Sequence, residues 1–492
     1  MNTATIIGSG FAGLSAAAHL ARLGYGVDVI EKHDTVGGRA RSFQAKGYTF
    51  DMGPSWYWMP DVFESFFQSF DATASDFYNL VKLDPGFQMV FKNQVTMQVP
   101  AELDALCHMF ESIEPGSADQ LCKFLSEGEF KYDMSMSHLI KNPGLKWTEL
   151  LNAKVLKHWP KLDLFSSYRR HVAAHFKHPH LRALMEFPVM FLGTAPSNTP
   201  ALYSLMAYSG LAQGTYYPMG GFAQVAEGMR HVGERLGVQF HTQQSAKRIR
   251  IRDGRATGVE SEHQSFMSDV VVGTADYHHV ERKLLPKSLR NYPASYWEQK
   301  QFSPSCLLFY VGVGQKLNKL IHHNLFFDEP IDDHCDSIYR EPRWPDKPLF
   351  YACCPSKTDP NVAPEGKENL FLLVPIASGI EDNDIIREEY FQRIIKRLES
   401  YCGQDITPHI EYRRSYCVKD FQEDYNAYKG NAYGLANTLM QTANLKPKIR
   451  NRKINNLFYA GQLTVPGPGV PPSIISGEIV AQAISQYNKF SS

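Results

Sequence analysis

Apolar and polar positions divide the chain into short strands and longer helical stretches. Thr5 to Ile7 is a short apolar strand, followed by a helical segment and a second strand, Val27 to Glu31. Tyr48 to Asp51 reads as a strand and Met52-Gly-Pro-Ser55 as a sharp turn after it. Residues 61 to 215 are mostly helical in pattern. Phe222 to Leu236 has helical spacing, and Val238 to His241 is a strand. Ala246–Arg252 and Ala256–Glu260 form a strand pair about the Asp253-Gly254 turn. Asp269 to Asp276 is a buried strand ending in a polar turn. Ser305–Val313, Leu349–Cys354 and Leu370–Ile376 are apolar strands, with a turn signal at Ala363-Pro-Glu-Gly366. Asn456 to Gln462 runs from strand into a glycine turn. After Pro466-Gly-Pro-Gly-Val-Pro471 a helix extends from about Pro472 to Tyr487.

This order predicts an α/β fold. A Rossmann-like nucleotide domain is expected from residues 1–75, 217–290 and 440–492, with the 246–260 strand pair as a small antiparallel insertion. The strands between 305 and 376 predict an antiparallel sheet in an inserted α+β substrate domain, residues 76–140 and 291–439. Residues 141–216 form a helical region rich in basic and aromatic side chains. The 492 residues leave room for two or three domains. No internal repeat or low-complexity linker separates them, so the domains are interleaved rather than beaded.

Gly8, Gly10 and Gly13 form a G-x-G-x-x-G turn between the first strand and its helix, and Glu31 follows about 20 residues later. Gly8 permits the tight turn, Gly10 lets backbone approach a pyrophosphate, and Gly13 lets helix pack on strand. The helix start, Phe11 and Ala12, offers free N–H groups and a positive dipole end to phosphate. Glu31, with Lys32 beside it, is placed to accept hydrogen bonds from ribose hydroxyls. Gly37-Gly38-Arg39 adds a second glycine motif, and Gly53, Pro54 and Ser55 form a turn beneath a ligand. A second glycine-rich helix start, Gly461, Gln462, Gly469 and Val470, can direct backbone N–H groups at the same ligand.

Charge and cysteine content narrow the picture. Formal net charge is zero, which gives no argument for a nucleic-acid partner. The eight cysteines form no C-x-x-C and no zinc spacing, so no metal is expected, and the usage suits a reducing compartment. A flavin–disulfide reductase would need a redox C-x-x-x-x-C near the first nucleotide fold, and that pair is absent. The first strand starts too early for a cleaved signal, and no apolar run reaches the roughly 18 residues of a membrane span.

These blocks resemble, from end to end, the bacterial-type phytoene desaturases (phytoene dehydrogenases), within a flavoprotein superfamily that includes the amine oxidases. The resemblance is carried by Ile7-Gly-Ser-Gly-Phe-Ala-Gly-Leu14, Val36-Gly-Gly-Arg-Ala40, Phe50-Asp-Met-Gly-Pro54, Tyr217-Pro-Met-Gly-Gly221 and Asn456-Leu-Phe-Tyr-Ala-Gly461 with Pro466-Gly-Pro-Gly-Val-Pro471. Gln462 departs from the small or acidic residue that many relatives carry there. The resemblance implies a glutathione-reductase-type, amine-oxidase-like fold with FAD as cofactor and Arg39 near its phosphates and flavin. It further implies successive dehydrogenation of phytoene, a C40 polyene, to lycopene (or zeta-carotene or neurosporene). The hydride would go to FAD N5, and a quinone or oxygen would reoxidise the flavin. A hydroxycarotenoid 3,4-desaturase, a redox-neutral carotene isomerase and, more remotely, an amine oxidase stay open. No proton acceptor is assignable from spacing.

A carotenoid has almost no polar handles, so an apolar tunnel is expected. Trp56, Tyr57, Trp58 and Met59 follow the flavin-side turn and are the leading lining candidates. Phe187, Met190, Phe191 and Leu192 form a second cluster, and Tyr216 and Tyr217 precede the Gly220-Gly221 turn. Residues 141 to 182 hold Lys141, Lys146, Lys154, Lys157, Lys161, Arg169, Arg170, Lys177 and Arg182 against Glu149 and Asp163. Trp147, Trp159, Phe165, Tyr168 and Phe176 are interleaved with them, which reads as a membrane-surface patch. A peripheral protein on the cytoplasmic side of a membrane, drawing its substrate from the bilayer, is the expectation.

Overall fold

A computed structural model describes residues 2–145 and 157–491. The N-terminal strand, Thr3–Ile7, sits at the centre of a five-stranded parallel sheet. The order is Leu457–Tyr459, Val270–Gly273, Thr3–Ile7, Gly26–Ile30, Gln239–His241. A parallel sheet needs cover on both faces, and the period-two alternation supplies it. Ile6, Val29, Val270 and Val272 share one core with Ala16, Ile479 and Val480, from the helices Phe11–Arg22 and Val470–Ser491. Ile7, Val271, Leu457 and Tyr459 enter another with Val259, Phe266 and Val280. That second face is covered by a three-stranded antiparallel piece, Ala246–Arg252, Arg255–Ser261 and Ser265–Met267, and the helix Tyr277–Leu284.

The second layer is a seven-stranded sheet. Its order is Ile410–Tyr416, Ser305–Val313, Glu368–Ile376, Phe350–Cys353, His323–Phe326, Phe87–Val90, Thr96–Val99. All neighbours are antiparallel except His323–Phe326 with Phe87–Val90. The longest pairing runs from Ser305 opposite Ile376 to Val313 opposite Glu368. Leu307, Phe309, Leu370 and Leu372 pack under the helix Asp384–Cys402, while Cys306, Leu308, Tyr351 and Phe371 face the nucleotide layer.

The three strands expected from the apolar runs are the middle of this sheet. The stretch read as mostly helical also contributes Phe87–Val90 and Thr96–Val99 to it. Each is four residues long, too short for its alternation to stand out among helices. The hairpin Ser42–Ala45 and Tyr48–Asp51 ties the layers: Asn369 Nδ2 donates to Thr49 O at 2.8 Å.

In the basic region, Lys146, Trp147, Glu149 and Lys154 lie outside the described residues, as does the side chain of Trp159. Several of the remaining basic groups have local partners. Lys141 pairs with Glu478 at 2.9 Å, and Arg169 with Glu186 and Asp332. Tyr168 and Phe176 are core residues, whereas Phe165 is 80% exposed.

Candidate active site

The loops after the Thr3–Ile7, Gly26–Ile30 and Val270–Gly273 strands meet at the carboxyl end of the parallel sheet, where open α/β sheets bind ligands. They open into a cavity of about 430 Å³ that extends between the two layers. The three glycines of the first turn do different things there. Gly8 adopts φ +102°, and its N–H donates to Ile30 O at 2.8 Å. A Cβ on Gly13 would lie 2.1 Å from Gly8 O, so the helix can approach the turn only without one. A Cβ on Gly10 would meet nothing within 4 Å, because Gly10 faces the cavity.

The Phe11–Arg22 helix has no side-chain cap and no acid in its first turn. Its N–H groups and positive end are left to whatever fills the cavity. The Val470–Ser491 helix brings a second N-terminus to the same space, after Gly469 at φ +111°, and it too lacks an acid in its first turn. The two helices nearly touch: a Cβ on Gly477 would come within 2.5 Å of Ala12 O.

Glu31 is 6% exposed. Its Oε2 accepts the Ser9 N–H at 2.9 Å and the Ser9 hydroxyl at 2.7 Å, and its Oε1 accepts the His33 N–H at 3.0 Å. The carboxylate is thereby fixed on the cavity wall with lone pairs to spare. Beside it, Lys32 donates to Glu423 O at 2.5 Å, and partial burial pulls its pKa down.

Arg39 lines the cavity in the 3₁₀ turn Gly38–Ala40. It donates to Asn431 O at 3.3 Å and lies 5.0 Å over the Tyr425 ring. Its Nε is buried without an acceptor among the described residues. A buried guanidinium N–H facing a cavity is costly unless a ligand satisfies it, and a phosphate or carbonyl oxygen of a dinucleotide is a suitable acceptor. Asp276 also lines the cavity and caps the Tyr277–Leu284 helix through the His279 N–H at 3.1 Å. Burial raises its pKa to about 6, against the opposing pull of its helix N–H groups and Arg39. The open Gly10, the two helix starts without an acid in their first turn and the orphaned Arg39 Nε together fit a bound flavin dinucleotide.

The far half of the cavity is lined by apolar and aromatic side chains. The Trp56–Met59 segment fans out. Trp56 stacks on His323 (4.1 Å, 11°) and packs edge-on to Trp58 and Phe87. Trp58 lies against Gly210, where a Cβ would come within 2.7 Å of the indole, and donates to Thr215 Oγ1 at 2.9 Å. Met59 takes φ 59°. Phe187 closes the box against Trp56 (5.4 Å) and Phe327 (6.2 Å).

The residues singled out from the sequence therefore distribute as follows. Gly8, Gly10, Phe11, Ala12, Glu31, Lys32, Gly38, Arg39, Gly53, Pro54, Ser55, Gly461, Gln462, Gly469 and Val470 all line the cavity. Gly13 lies behind it as a packing position. Trp56, Trp58, Met59, Phe187, Met190 and Leu192 line the apolar half. Tyr57 does not: it is fully buried, stacked on Phe63 at 4.1 Å, with its hydroxyl 2.7 Å from Tyr78 OH. Strand-like alternation after Trp56 turns it to the opposite side. Tyr217 faces a separate small chamber, and the side chain of Phe191 lies outside the described residues.

Sequence reasoning missed Asp276 and the tyrosines Tyr339, Tyr351 and Tyr433, all on the cavity wall. Asp276 had a signal, the polar end of an apolar strand. The tyrosines had none, because their positions depend on how the second sheet packs.

Comparison with known proteins agrees with this geometry. The model of the flavin containing amine oxidoreductase family matches residues 11–485. A carotenoid 3,4-desaturase of Haloarcula japonica is 41% identical over 483 residues, covering 98% of this chain and 97% of its own. A zeta-carotene-forming phytoene desaturase of Myxococcus xanthus is 31% identical, covering 98% and 93%. A phytoene desaturase of Fusarium fujikuroi is 30% identical, covering 99% and 89%. Among solved structures, putrescine oxidase (TM-score 0.62, 13% identity, 99% of each chain) and the cyclohexylamine oxidase of Brevibacterium oxydans (0.58, 16%, 100% of each) share the fold. The chain belongs to the flavin containing amine oxidoreductases and, within them, to the carotenoid desaturase family of FAD-dependent oxidoreductases.

Proposed function

We propose that the protein desaturates a linear C40 hydrocarbon carotenoid, phytoene first, by successive removal of hydrogen pairs toward lycopene. The observation that carries this reading is the division of one cavity into a dinucleotide half and an aromatic, apolar half joined at Gly53-Pro54-Ser55. Bound FAD supplies a two-electron hydride acceptor. The residues would do the rest. Gly8, Gly10 and the two helix starts would hold the pyrophosphate, Glu31 the ribose, and Arg39 an anionic or carbonyl oxygen of the cofactor. Trp56, Trp58, Met59 and Phe187 would grip the polyene by contact area and exclude water, since the substrate offers nothing to hydrogen-bond.

Such a substrate lives in a bilayer, and one edge of the molecule suits that surface. Leu145, Met440 and Leu445 are exposed, and Gly144 sits against Asn444 on that edge. Asn437 on the same segment donates to the carbonyl of Leu192, a cavity residue, at 3.1 Å. Exposed Phe165 belongs to the basic and aromatic stretch. Among the described residues no helix is long and apolar enough to cross a membrane. The exposed Leu145, Phe165, Met440 and Leu445 support peripheral docking beside the cavity, and a quinone or oxygen would reoxidise the flavin.

A second reading, 3,4-desaturation of a later carotenoid, is favoured by the 41% identity to the Haloarcula japonica enzyme. Product analysis separates the two. Purified FAD-loaded protein is given phytoene, or a hydroxylated linear carotenoid, in liposomes with a quinone. Loss of phytoene with appearance of longer chromophores supports the first reading. Phytoene left intact while the hydroxylated carotenoid gains a double bond rejects it in favour of the second.

A further inference from the structure

Behind the Gly53–Ser55 turn lies a second chamber, about 20 Å³, room for a single water. Its walls include Asp51, Ser55, Tyr217, His322 and Cys353. Among the described residues, Gly53, Ser55 and Phe371 alone line both this chamber and the large cavity, and of the three Ser55 has the polar side chain. Two buried polar atoms of the chamber residues have no partner among the described residues: Asp51 Oδ1 and His322 Nε2.

The surroundings hold this arrangement in place. Asp51 Oδ2 accepts the Phe222 N–H at 3.1 Å, which fixes the carboxylate at the start of the Phe222–Arg235 helix and leaves Oδ1 uncommitted. His322 Nδ1 is engaged with Thr358 Oγ1 at 2.8 Å. On the cavity side, Tyr351 OH donates to Ser55 Oγ at 3.0 Å and is itself held by His323 Nδ1 at 2.7 Å. A serine oxygen that already accepts from tyrosine has its own proton left to give.

We propose that Asp51 receives the proton that leaves the substrate, by way of the Ser55 hydroxyl, and that Tyr351 and His323 are positioning residues that orient Ser55. This rests on the reading of the large cavity as a carotenoid desaturation site. In the balanced step, one C–H bond leaves with its electron pair as hydride, reducing FAD by two electrons. At the adjacent carbon the C–H pair becomes the new π bond. Its proton passes to Ser55 Oγ as Ser55 releases its own through the water-sized chamber to Asp51, whose carboxylate becomes a carboxylic acid. Release of that proton from Asp51 to solvent, favourable above about 7, resets the site.

The acceptor strength suits the task. Burial lifts the Asp51 carboxyl to about 7, against the opposing pull of the Phe222 and Ala223 N–H groups. Tyr217, His322, Cys353 and Asp359 also face this region. Burial holds His322 neutral, with a pKa near about 3, and pushes the Tyr217 and Cys353 pKa values up, so these three stay uncharged near neutrality. Asp51 is an acceptor when ionised, so the step is fast above about 7 and slows as pH falls below it.

The test combines two readouts on full-length FAD-loaded protein. Anaerobic flavin reduction by phytoene in liposomes is followed against pH in wild type, Asp51→Asn and Ser55→Ala. Asn keeps an acceptor for the Phe222 N–H. Both variants are expected to slow reduction by about a hundredfold, typical of a lost proton-transfer group. Asp51→Asn should also lose the fall below pH 7. Infrared difference spectra should show a protonated-carboxyl band that grows with flavin reduction in wild type and is absent in Asp51→Asn. If Asp51→Asn does not retain FAD, Ser55→Ala and the wild-type band decide. Unchanged rates and pH profile, or no carboxyl band on reduction, overturn the proposal. Wild type that is not reduced by any carotenoid overturns instead the desaturase reading beneath it.

Discussion

The two halves of the cavity are built by different rules. The half around the first glycine turn is made mostly of backbone, glycines that turn and helix starts that offer N–H groups, with the side chains of Glu31 and Arg39 beside them. The apolar half is made of side chains delivered by segments far apart in sequence, Trp56, Phe187, Leu325 and Tyr351 among them. Closely packed backbone positions such as Gly13 tolerate no added atoms. Side-chain sites tolerate substitution at the cost of contact area. The same molecule should therefore fail abruptly at one end and gradually at the other.

The largest effect is expected at Gly13. The methyl of Gly13→Ala would have to fit 2.1 Å from Gly8 O, a backbone atom that cannot swing aside. Overpacking of this kind costs about 3 kcal/mol, and FAD content and thermal stability should fall together. Retention of full FAD occupancy would break the comparison at its stronger end.

Trp56→Ala probes the other half. Loss of one buried aromatic contact costs about 2 kcal/mol of carotenoid binding, seen as a roughly thirtyfold rise in KM with FAD occupancy kept. Loss of FAD as well would mean that the two halves are not separable. Phe165→Asp should weaken liposome binding by about tenfold, roughly 1.4 kcal/mol, without changing FAD content. Tyr57→Phe gives the smallest effect. It removes one buried hydrogen bond to Tyr78, worth about 1 kcal/mol of stability, and leaves KM unchanged because Tyr57 faces away from the cavity. A change in KM there would break the boundary drawn between neighbouring residues 56 and 57.

The same contrast explains what could be read from the chain. Gly8, Gly10, Gly13 and Glu31 lie within one strand–helix–strand unit, so spacing alone implies their meeting. The role of Arg39 is reached through the family resemblance, that of Gly461 through a strand running into a glycine turn; the orphaned Nε of one and the positive φ of the other then make physical sense. The Trp56–Met59 run was visible as apolar, but which of its members face the cavity depends on backbone turns at Met59 and on the bare surface of Gly210. Phe87–Val90 and Thr96–Val99 were lost among helices because their stability comes from pairing with distant strands, through non-local register rather than local propensity. Tyr351 and Asp51 gain meaning only when the second sheet is laid against the Gly53–Ser55 turn.

The central claim is that this cavity oxidises a hydrocarbon held only by apolar contact. The direct test is to mix FAD-loaded protein anaerobically with phytoene in liposomes and, in parallel, with primary amines, and to follow the flavin spectrum. The account predicts that phytoene bleaches the oxidised flavin while a longer-wavelength carotenoid absorbance grows, and that amines leave it oxidised. Flavin bleached by an amine and untouched by phytoene or other linear carotenoids would contradict it.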